Sequence, residues 1–476
     1  MKNILFVSAE VAPFIKTGGL ADVVGALPQE LLGFDNNVDV ILPKYSSISE
    51  KHSEGMEFLT DFEVKVGWRD SFVGLWKKTI ANVDYYFIEN EYYFNRSIIY
   101  GNHDEGEKFS YFNKAVLESL KYINRDYDIL HLNDWHTGMI SLLLKEHYSH
   151  LDAYKDIKTV YTIHNLKYQG IYDPVVLGDI LGLDMEYYYN GSVEFYGDIN
   201  FMKAGISFSD IVTTVSETYA DEIQDEYYGE GLHGLFSAAD NKLTGVVNGI
   251  DTSEYNPKTD EDIPYNYDLR GYKKKRKNKA VLQGELGLEV NKDIPMIGIV
   301  TRLVEAKGID LITHMMAELL NEEVQVVLLG TGNIQYENDF RWFDEHYDNF
   351  SGNIYFSPEM AKKIYASADI FLMPSRYEPC GLGQLIAQSY GNAPIVRKTG
   401  GLADTVRNYD PESGEGNGFV FEDFNAHSLL FKIKEAIELY KDDQQWQQLF
   451  KNCMNSDNSW ANSASKYNEI YEELVV

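Results

Sequence analysis

The chain is poor in cysteine and in basic residues and has no long apolar run, and each shortage excludes a class of protein. Two cysteines, Cys380 and Cys453, in 476 residues cannot build a disulfide framework, and their spacing fits no zinc motif. That usage suits a reducing cytoplasm. Lysine and arginine number 42 against 74 aspartates and glutamates, a formal net charge of −32. A field of that sign repels nucleic-acid phosphate and anionic lipid surfaces. Partners are expected to be neutral, or anionic only where a basic pocket receives them, so neither nucleic acid nor membrane is expected. No stretch approaches the roughly 20 apolar residues of a membrane-spanning helix. The opening MKNILFVSAE reaches Glu10 too soon for a secretory signal and is read as a first strand. The one dense basic run, GYKKKRKNK at 271–279, follows the acidic DEDIPYNYD and is read as a solvated helix start.

The length exceeds one hydrophobic core and predicts at least two domains. Short β-branched runs ending in small or polar residues recur: ILFVSAE from Ile4, DVILP from Asp39, ILHLND from Ile129, TVYTIHN from Thr159 and DIVTTVS from Asp210. A second set follows: TGVVNGI from Thr244, MIGIVTR from Met296, VQVVLLG from Val324, NIYFS from Asn353, DIFLMPS from Asp369 and APIVRK from Ala393. Such runs, with helical stretches between them, predict buried parallel strands and two doubly wound α/β sheets. Residues 62–90 alternate like antiparallel strands and are assigned to the first domain. The seam is expected over 248–268, where Asn, Asp, Pro and Tyr without period give a linker composition.

The heptapeptide KTGGLAD occurs at Lys16–Asp22 and again at Lys398–Asp404, each time after a strand and at a helix start. Gly-Gly there lets an anion approach free backbone N–H groups at the positive end of the helix, and lysine adds a point charge. For a single glycine pair, a tight strand-to-helix turn is the preferred reading. In the second half, TRLVEAKG puts Arg302 and Lys307 at a strand end and in the loop after it, and PSRYEPCGLGQL puts Glu378 and a Gly381-x-Gly383 turn at another. Ligands of open α/β sheets lie beyond such strand ends, and this set has the chemistry of a diphosphate site. In the first half, HLNDWHTG gathers His131, Asp134, Trp135 and His136, and TIHNLKYQG supplies His164 and Asn165. His131 and His136 have neither helical i,i+4 nor same-face strand spacing, so no metal is expected. Polar strand ends beside aromatic rings suit sugar hydroxyls; His131 is read as a core histidine and His164 as a site residue.

These motifs, with YFNRSIIYG, EFYGDINFMKAGI, TTVSETYADEI and GVVNGID, run in one order from end to end and resemble the bacterial glycogen synthases and plant starch synthases. The resemblance implies a GT-B fold, two Rossmann-like domains facing across a cleft: 1–247 as catalytic and acceptor domain, 248–455 as nucleotide-sugar domain, and 456–476 as a helix packing back on the first. It implies retaining transfer of glucose from ADP-glucose to the end of an α-1,4-glucan such as glycogen, with no cofactor. By motif, Lys16 and the Gly18-Gly19 turn contact donor phosphate and sugar, with Asp22 in support. His164 lies by the transferred glucose, Asp134 and Asn248 support that pocket, and Arg302 and Lys307 hold the diphosphate. Glu378 with Cys380, Gly381 and Leu382 holds glucose hydroxyls and diphosphate. The chain departs from the family at Gly383, where Thr or Ser is common, at Ala306 in place of Gln, and at His233. Other GT-B activities, a nucleotide-sugar epimerase or a glucan phosphorylase, are the competing enzymes, and a non-catalytic glucan-binding protein is the third reading. The intact Lys16, His164, Arg302, Lys307 and Glu378 weigh against that last one.

Overall fold

The β-branched runs fold into parallel strands as expected, except that TGVVNGI, expected to open the second set, contributes the strand Leu243–Gly245 beside Ile211–Thr214 in the first sheet. A computed structural model describes residues 1–238 and 243–475 and resolves into two units, Met1–Val246 with Trp460–Val476, and Val247–Ser459. No helix among the described residues is long and apolar enough to cross a membrane.

The first unit contains β1 (Asn3–Val7), β2 (Asn37–Pro43), β3 (Glu57–Val66), β4 (Arg69–Ile80), β5 (Val83–Glu89), β6 (Ile129–Asn133) and β7 (Lys158–Ile163). It continues with β8 (Ile171–Tyr172), β9 (Glu194–Phe195), β10 (Asp198–Asn200), β11 (Ile211–Thr214) and β12 (Leu243–Gly245). One sheet has the order β12-β11-β7-β6-β1-β2-β5-β4-β3, and a small one the order β8-β10-β9. The alternating segment 62–90 gives the antiparallel pairs β3–β4 and β4–β5, while β5 runs parallel to β2. Winding leaves β1 in one direction through β2 and in the other through β6, so the order reverses between β1 and β6. The helix Trp460–Leu474 closes this unit: the Tyr471 hydroxyl lies 2.5 Å from His131 Nδ1, and Asn36 donates to Asn468 at 2.9 Å.

The second unit contains β13 (Met296–Val300), β14 (Gln325–Leu329), β15 (Phe350–Asn353), β16 (Ile370–Met373), β17 (Ala393–Arg397) and β18 (Phe419–Phe421). The run expected from Asn353 starts earlier, as β15. All pairs are parallel in the order β15-β14-β13-β16-β17-β18, which reverses between β13 and β16. A reversal of this kind opens a crevice at the carboxyl ends of the two strands.

Two expectations are corrected. The segment 248–268 is an integral part of the second unit, with Ile250, Ile263 and Tyr267 in its core and the Tyr267 hydroxyl donating to the Tyr390 carbonyl at 2.8 Å. Its composition resembles a linker's because Asp251, Asn256, Asp260 and Asp268 each accept the N–H two residues on, closing turns. The basic run does open a helix, Tyr272–Glu285, but Lys275 and Lys279 are buried. Lys279 pairs with buried Asp369 at 2.6 Å, and Lys275 reaches Asn392 Oδ1 at 2.6 Å and the Tyr365 carbonyl at 3.1 Å. Burial pushes the Lys275 ammonium down to about 7.

Candidate active site

In the second unit the site grows from the reversal point. β13 ends at Val300, and Arg302 follows, exposed and without an ion pair among the described residues. A 3-10 turn, Glu305–Lys307, carries Lys307 back toward the end of β16. Lys307 Nζ lies 2.5 Å from Glu378 Oε2, and the Ser375 hydroxyl donates to the same oxygen at 2.9 Å. Thr301, Lys307, Ser375, Glu378, Leu382 and Gly383 are among the residues lining one cavity of about 190 Å³. Arg302 does not line it, but stands next to Thr301, which does.

The loop after β16 is held from behind. Arg397, at the end of β17, is buried; its Nε donates to the Ser375 carbonyl at 3.1 Å and its guanidinium also reaches the Arg376 carbonyl. Gly381 has φ +80°, a left-handed turn that glycine adopts freely. Cys380 is buried, and burial pushes its thiol up to about 12, with the Asn248 backbone acting the other way. Neither the thiol nor Asn248 lines the cavity; Asn248 is itself buried, its Oδ1 without a partner among the described residues. At Gly383 an added Cβ would lie 3.3 Å from the Phe371 ring and 3.4 Å from Met373 Sδ, so the missing hydroxyl side chain leaves a nearly fitting space.

In the first unit the strand ends of β1, β6 and β7 supply the polar groups. Glu10, just past β1, is buried and accepts from the Thr17 N–H, the Thr17 hydroxyl at 2.7 Å and the Tyr100 hydroxyl at 2.6 Å. It thereby fixes the first KTGGLAD. Lys16 Nζ lies 2.6 Å from Asp22 Oδ1 on the surface. Gly18 caps the helix Gly19–Leu31 with no side chain, and a Cβ added to Gly18 or Gly19 would meet nothing within 4 Å. The helix start is therefore an open, electropositive backbone surface.

Asp134, past β6, holds φ +58° and is buried. Its carboxylate accepts the His164 N–H at 2.8 Å and the Asn165 N–H at 3.4 Å, tying the ends of β6 and β7 together. Burial raises this carboxyl to about 7; the two N–H groups oppose the shift and the Glu10 charge adds to it. His164 Nε2 lies 2.9 Å from Asn133 Oδ1. Because Asn133 Nδ2 donates to the Val7 and His131 carbonyls, its Oδ1 must accept, which assigns the ring hydrogen to Nε2. Burial takes His164 down to about 3, so the ring is neutral. His131 bonds Tyr471 and Thr162 through its two ring nitrogens, as a core histidine does.

The structure thus brings together Lys307, Glu378, Leu382 and Gly383 in one unit, and Asp134 with His164 in the other. Glu10, Asn133, Ser375 and Arg397 were missing from the sequence reading. Each sits at or just past a strand end, a position that could have flagged it; Glu10, Asn133 and Arg397 also bond groups distant in sequence, whereas Ser375 meets the Glu378 carboxylate three residues on.

Comparison with known proteins fits this geometry. A family model described as the starch synthase catalytic domain matches residues 3–238, and one described as glycosyl transferases group 1 matches 287–451. A glycogen synthase of Bacillus cereus (strain ATCC 10987 / NRS 248) is 49% identical over 474 residues, covering 99% of this chain and 100% of that one. Another, of Clostridium novyi (strain NT), is 50% identical over 476 residues, 99% of each. A solved structure of the catalytic domain of starch synthase IV from Arabidopsis thaliana, bound to ADP and acarbose, superposes with a TM-score of 0.92 at 33% identity, covering 100% of this chain and 99% of that one. Two doubly wound domains with these matches make the fold GT-B. The chain belongs to the glycogen synthase family, glucosyltransferases that elongate glycogen.

Proposed function

We propose that the donor is ADP-glucose and that its glucosyl group moves, with retained anomeric configuration, to the non-reducing end of an α-1,4-glucan, releasing ADP. The observation that carries this reading is the Lys307–Glu378–Ser375 cluster at the reversal between β13 and β16, with Arg302, which has no ion pair among the described residues, next to it in the chain. The starch synthase IV structure, bound to ADP, supports the choice of nucleotide.

In this reading 248–455 is the nucleotide-sugar domain. Arg302 and Lys307 take the diphosphate, and Glu378, Cys380, Gly381, Leu382 and Gly383 line the phosphates and glucose hydroxyls, with Asn248 in support. Lys307 has three N–H donors and spends one on Glu378, leaving two for phosphate oxygens. The first domain, 1–247, supplies Lys16, the bare N–H groups at Gly18 and Gly19, and Asp22, which fixes the Lys16 ammonium. Asp134 holds the His164 loop, and the neutral His164 ring, with its hydrogen on Nε2, offers Nδ1 to a sugar hydroxyl.

The C1–O bond to phosphate breaks with its electron pair moving to the diphosphate, where preorganised cations and N–H groups stabilise the growing charge. Retention requires the acceptor 4-hydroxyl to arrive on the same face, and its proton passes to the departing phosphate as the new C1–O bond forms. A ring held near pKa 3 is too weak a base to compete for that proton. Two buried thiols and a nucleotide-sugar donor fit a cytoplasmic enzyme.

The test is to supply glycogen with ADP-glucose or UDP-glucose separately and follow nucleoside diphosphate release and polymer growth. ADP release with chain growth is expected; preference for UDP-glucose would overturn the donor, and no release from either would overturn the transfer. Arg302→Ala and Lys307→Ala should each lower turnover by about 10²- to 10³-fold with the fold intact. Near-normal rates in both would remove the diphosphate assignment.

A further inference from the structure

Two loops of the second unit have to act together, and they leave different strands. Lys307 rides on the turn after β13, and Ser375 and Glu378 on the loop after β16. One residue ties the two. The Arg376 N–H donates to the Ala306 carbonyl at 2.9 Å, and its guanidinium lies 2.9 Å from Glu305 Oε1 and 3.5 Å from Asp310 Oδ2. Its Cζ stands over the Phe424 ring, 4.5 Å from the centre, and its carbonyl accepts from Arg397.

The links differ in kind. Main chain meets main chain on both sides of Lys307: at Ala306 through the hydrogen bond, and at Gly308, where an added Cβ would lie 2.1 Å from the Pro374 carbonyl oxygen. Contacts at two points leave a turn free to rock about the line that joins them. Links at Glu305, which opens the turn, and at Asp310, in the first turn of the helix Ile309–Leu319, remove that freedom. Stability does not account for the guanidinium. The Arg376 side chain is 38% exposed and that of Glu305 64% exposed, and ion pairs this wet add little. Arg376 Nε and Asp310 Oδ1 are buried without hydrogen-bond partners among the described residues, which works against the fold.

We propose that Arg376 is a positioning residue for glucosyl transfer: it locks the turn that carries Lys307 to the loop that carries Glu378, so that ammonium and carboxylate meet the donor at a fixed separation. The proposal rests on the assignment of Lys307 to the donor diphosphate. Arg376 acts only through its neighbours, since it does not line the cavity that Lys307 and Glu378 share. A charged group displaced by about 1 Å from the leaving diphosphate is enough to lose about 10²-fold in rate. Arginine suits the task because its planar fork can reach two carboxylates while lying on an aromatic ring, where lysine offers a single point of charge.

The experiment is a double-mutant cycle on turnover with ADP-glucose and glycogen. Arg376→Met keeps a long side chain on the Phe424 ring. It should lower turnover about tenfold to a hundredfold and raise KM for ADP-glucose, with KM for glycogen and the melting temperature at the parent values. Added to Lys307→Ala, the same change should lower turnover by less than about twofold more, because the group it positions is gone. Arg376→Lys should recover part of the loss, since an ammonium still reaches one carboxylate. Equal losses in the two backgrounds would overturn the proposal, as would a rise in KM for both substrates or a fall in melting temperature that tracks the activity. A full Lys307→Ala effect beside a parent-like Arg376→Met would overturn the proposal alone. Near-normal turnover of Lys307→Ala would overturn the diphosphate assignment and the proposal with it.

Discussion

Around the first KTGGLAD the glycines border open space; around the second they are wedged against main chain. A Cβ on Gly18 or Gly19 meets nothing within 4 Å, whereas one on Gly400 would lie 2.0 Å from the Glu378 carbonyl oxygen and one on Gly401 2.3 Å from that of Cys380. The first copy opens a helix that runs from Gly19 to Leu31, the second one that stops at Thr405. The Gly401 N–H already donates to the Pro379 carbonyl at 3.1 Å. Lys16 pairs inside its own copy with Asp22, while Lys398 pairs with Glu422 on the surface at 3.0 Å. Identical residues therefore leave the backbone at a helix start open in one unit and act as a packing spacer behind the Glu378 loop in the other. Identity of sequence fixed the turn; the neighbours fixed its use.

The largest expected effect breaks the second copy. Gly400→Ala adds a Cβ into a carbonyl at a φ of +42°, which should cost about 3 kcal/mol or more. Urea unfolding would show it as a lower midpoint; a shift below about 0.5 kcal/mol would refute the spacer role. Lys16→Met comes next, with turnover falling about 10²-fold and the unfolding midpoint unchanged, if this lysine meets donor phosphate. Gly18→Ala should be smaller again. Its φ of −155° suits alanine, so stability stays within about 0.5 kcal/mol while KM for the donor rises. A Gly18→Ala enzyme with wild-type kinetics would make both copies mere turns.

Much of this was legible because strand-end positions announce themselves in short β-branched runs. Arg302, Lys307, Glu378, Asp134 and His164 all follow such runs, each on a strand at or next to the reversal of order in its own unit's sheet. Glu10 was invisible: it follows β1 like an ordinary loop residue, and its role depends on Thr17 and on Tyr100, far away in sequence. The buried lysines show the opposite failure. A charge run reads as solvent-facing unless its partner is known, and Asp369, the partner of Lys279, lies outside any local window. The two uses of KTGGLAD were equally unreadable, since only tertiary neighbours distinguish open space from a carbonyl at 2.0 Å.

The first copy also sits in a unit whose strand ends titrate. Asp134 ionises near 7 in the fold against 3.8 ordinarily, so between about pH 4 and 7 the native state holds a proton that the unfolded chain has lost. Its contribution to stability is full below about pH 4 and is lost as pH rises through 7. Asp134→Asn keeps an oxygen for the His164 N–H and removes the titration. The variant should gain melting temperature over the parent as pH rises from 4 to 7, with the difference constant above that. Buried His131, His136 and His164 are held below 6.5 and lose stability in the opposite direction, as pH falls, so the difference between the two proteins is the quantity to read. A flat difference would mean that Asp134 titrates normally.

The smallest effect is the sharpest check on the comparison. Lys398 is exposed, its ion pair with Glu422 is exposed as well, and pairs of this kind contribute between 0 and about 1 kcal/mol. Lys398→Met should leave both turnover and the unfolding midpoint near the parent values, where the same change at Lys16 removes most of the activity. Should Lys398→Met instead depress turnover as Lys16→Met does, the second heptapeptide would also be a ligand contact. The packing of Gly400 and Gly401 would then be the means of aiming Lys398, not the whole of that copy's purpose.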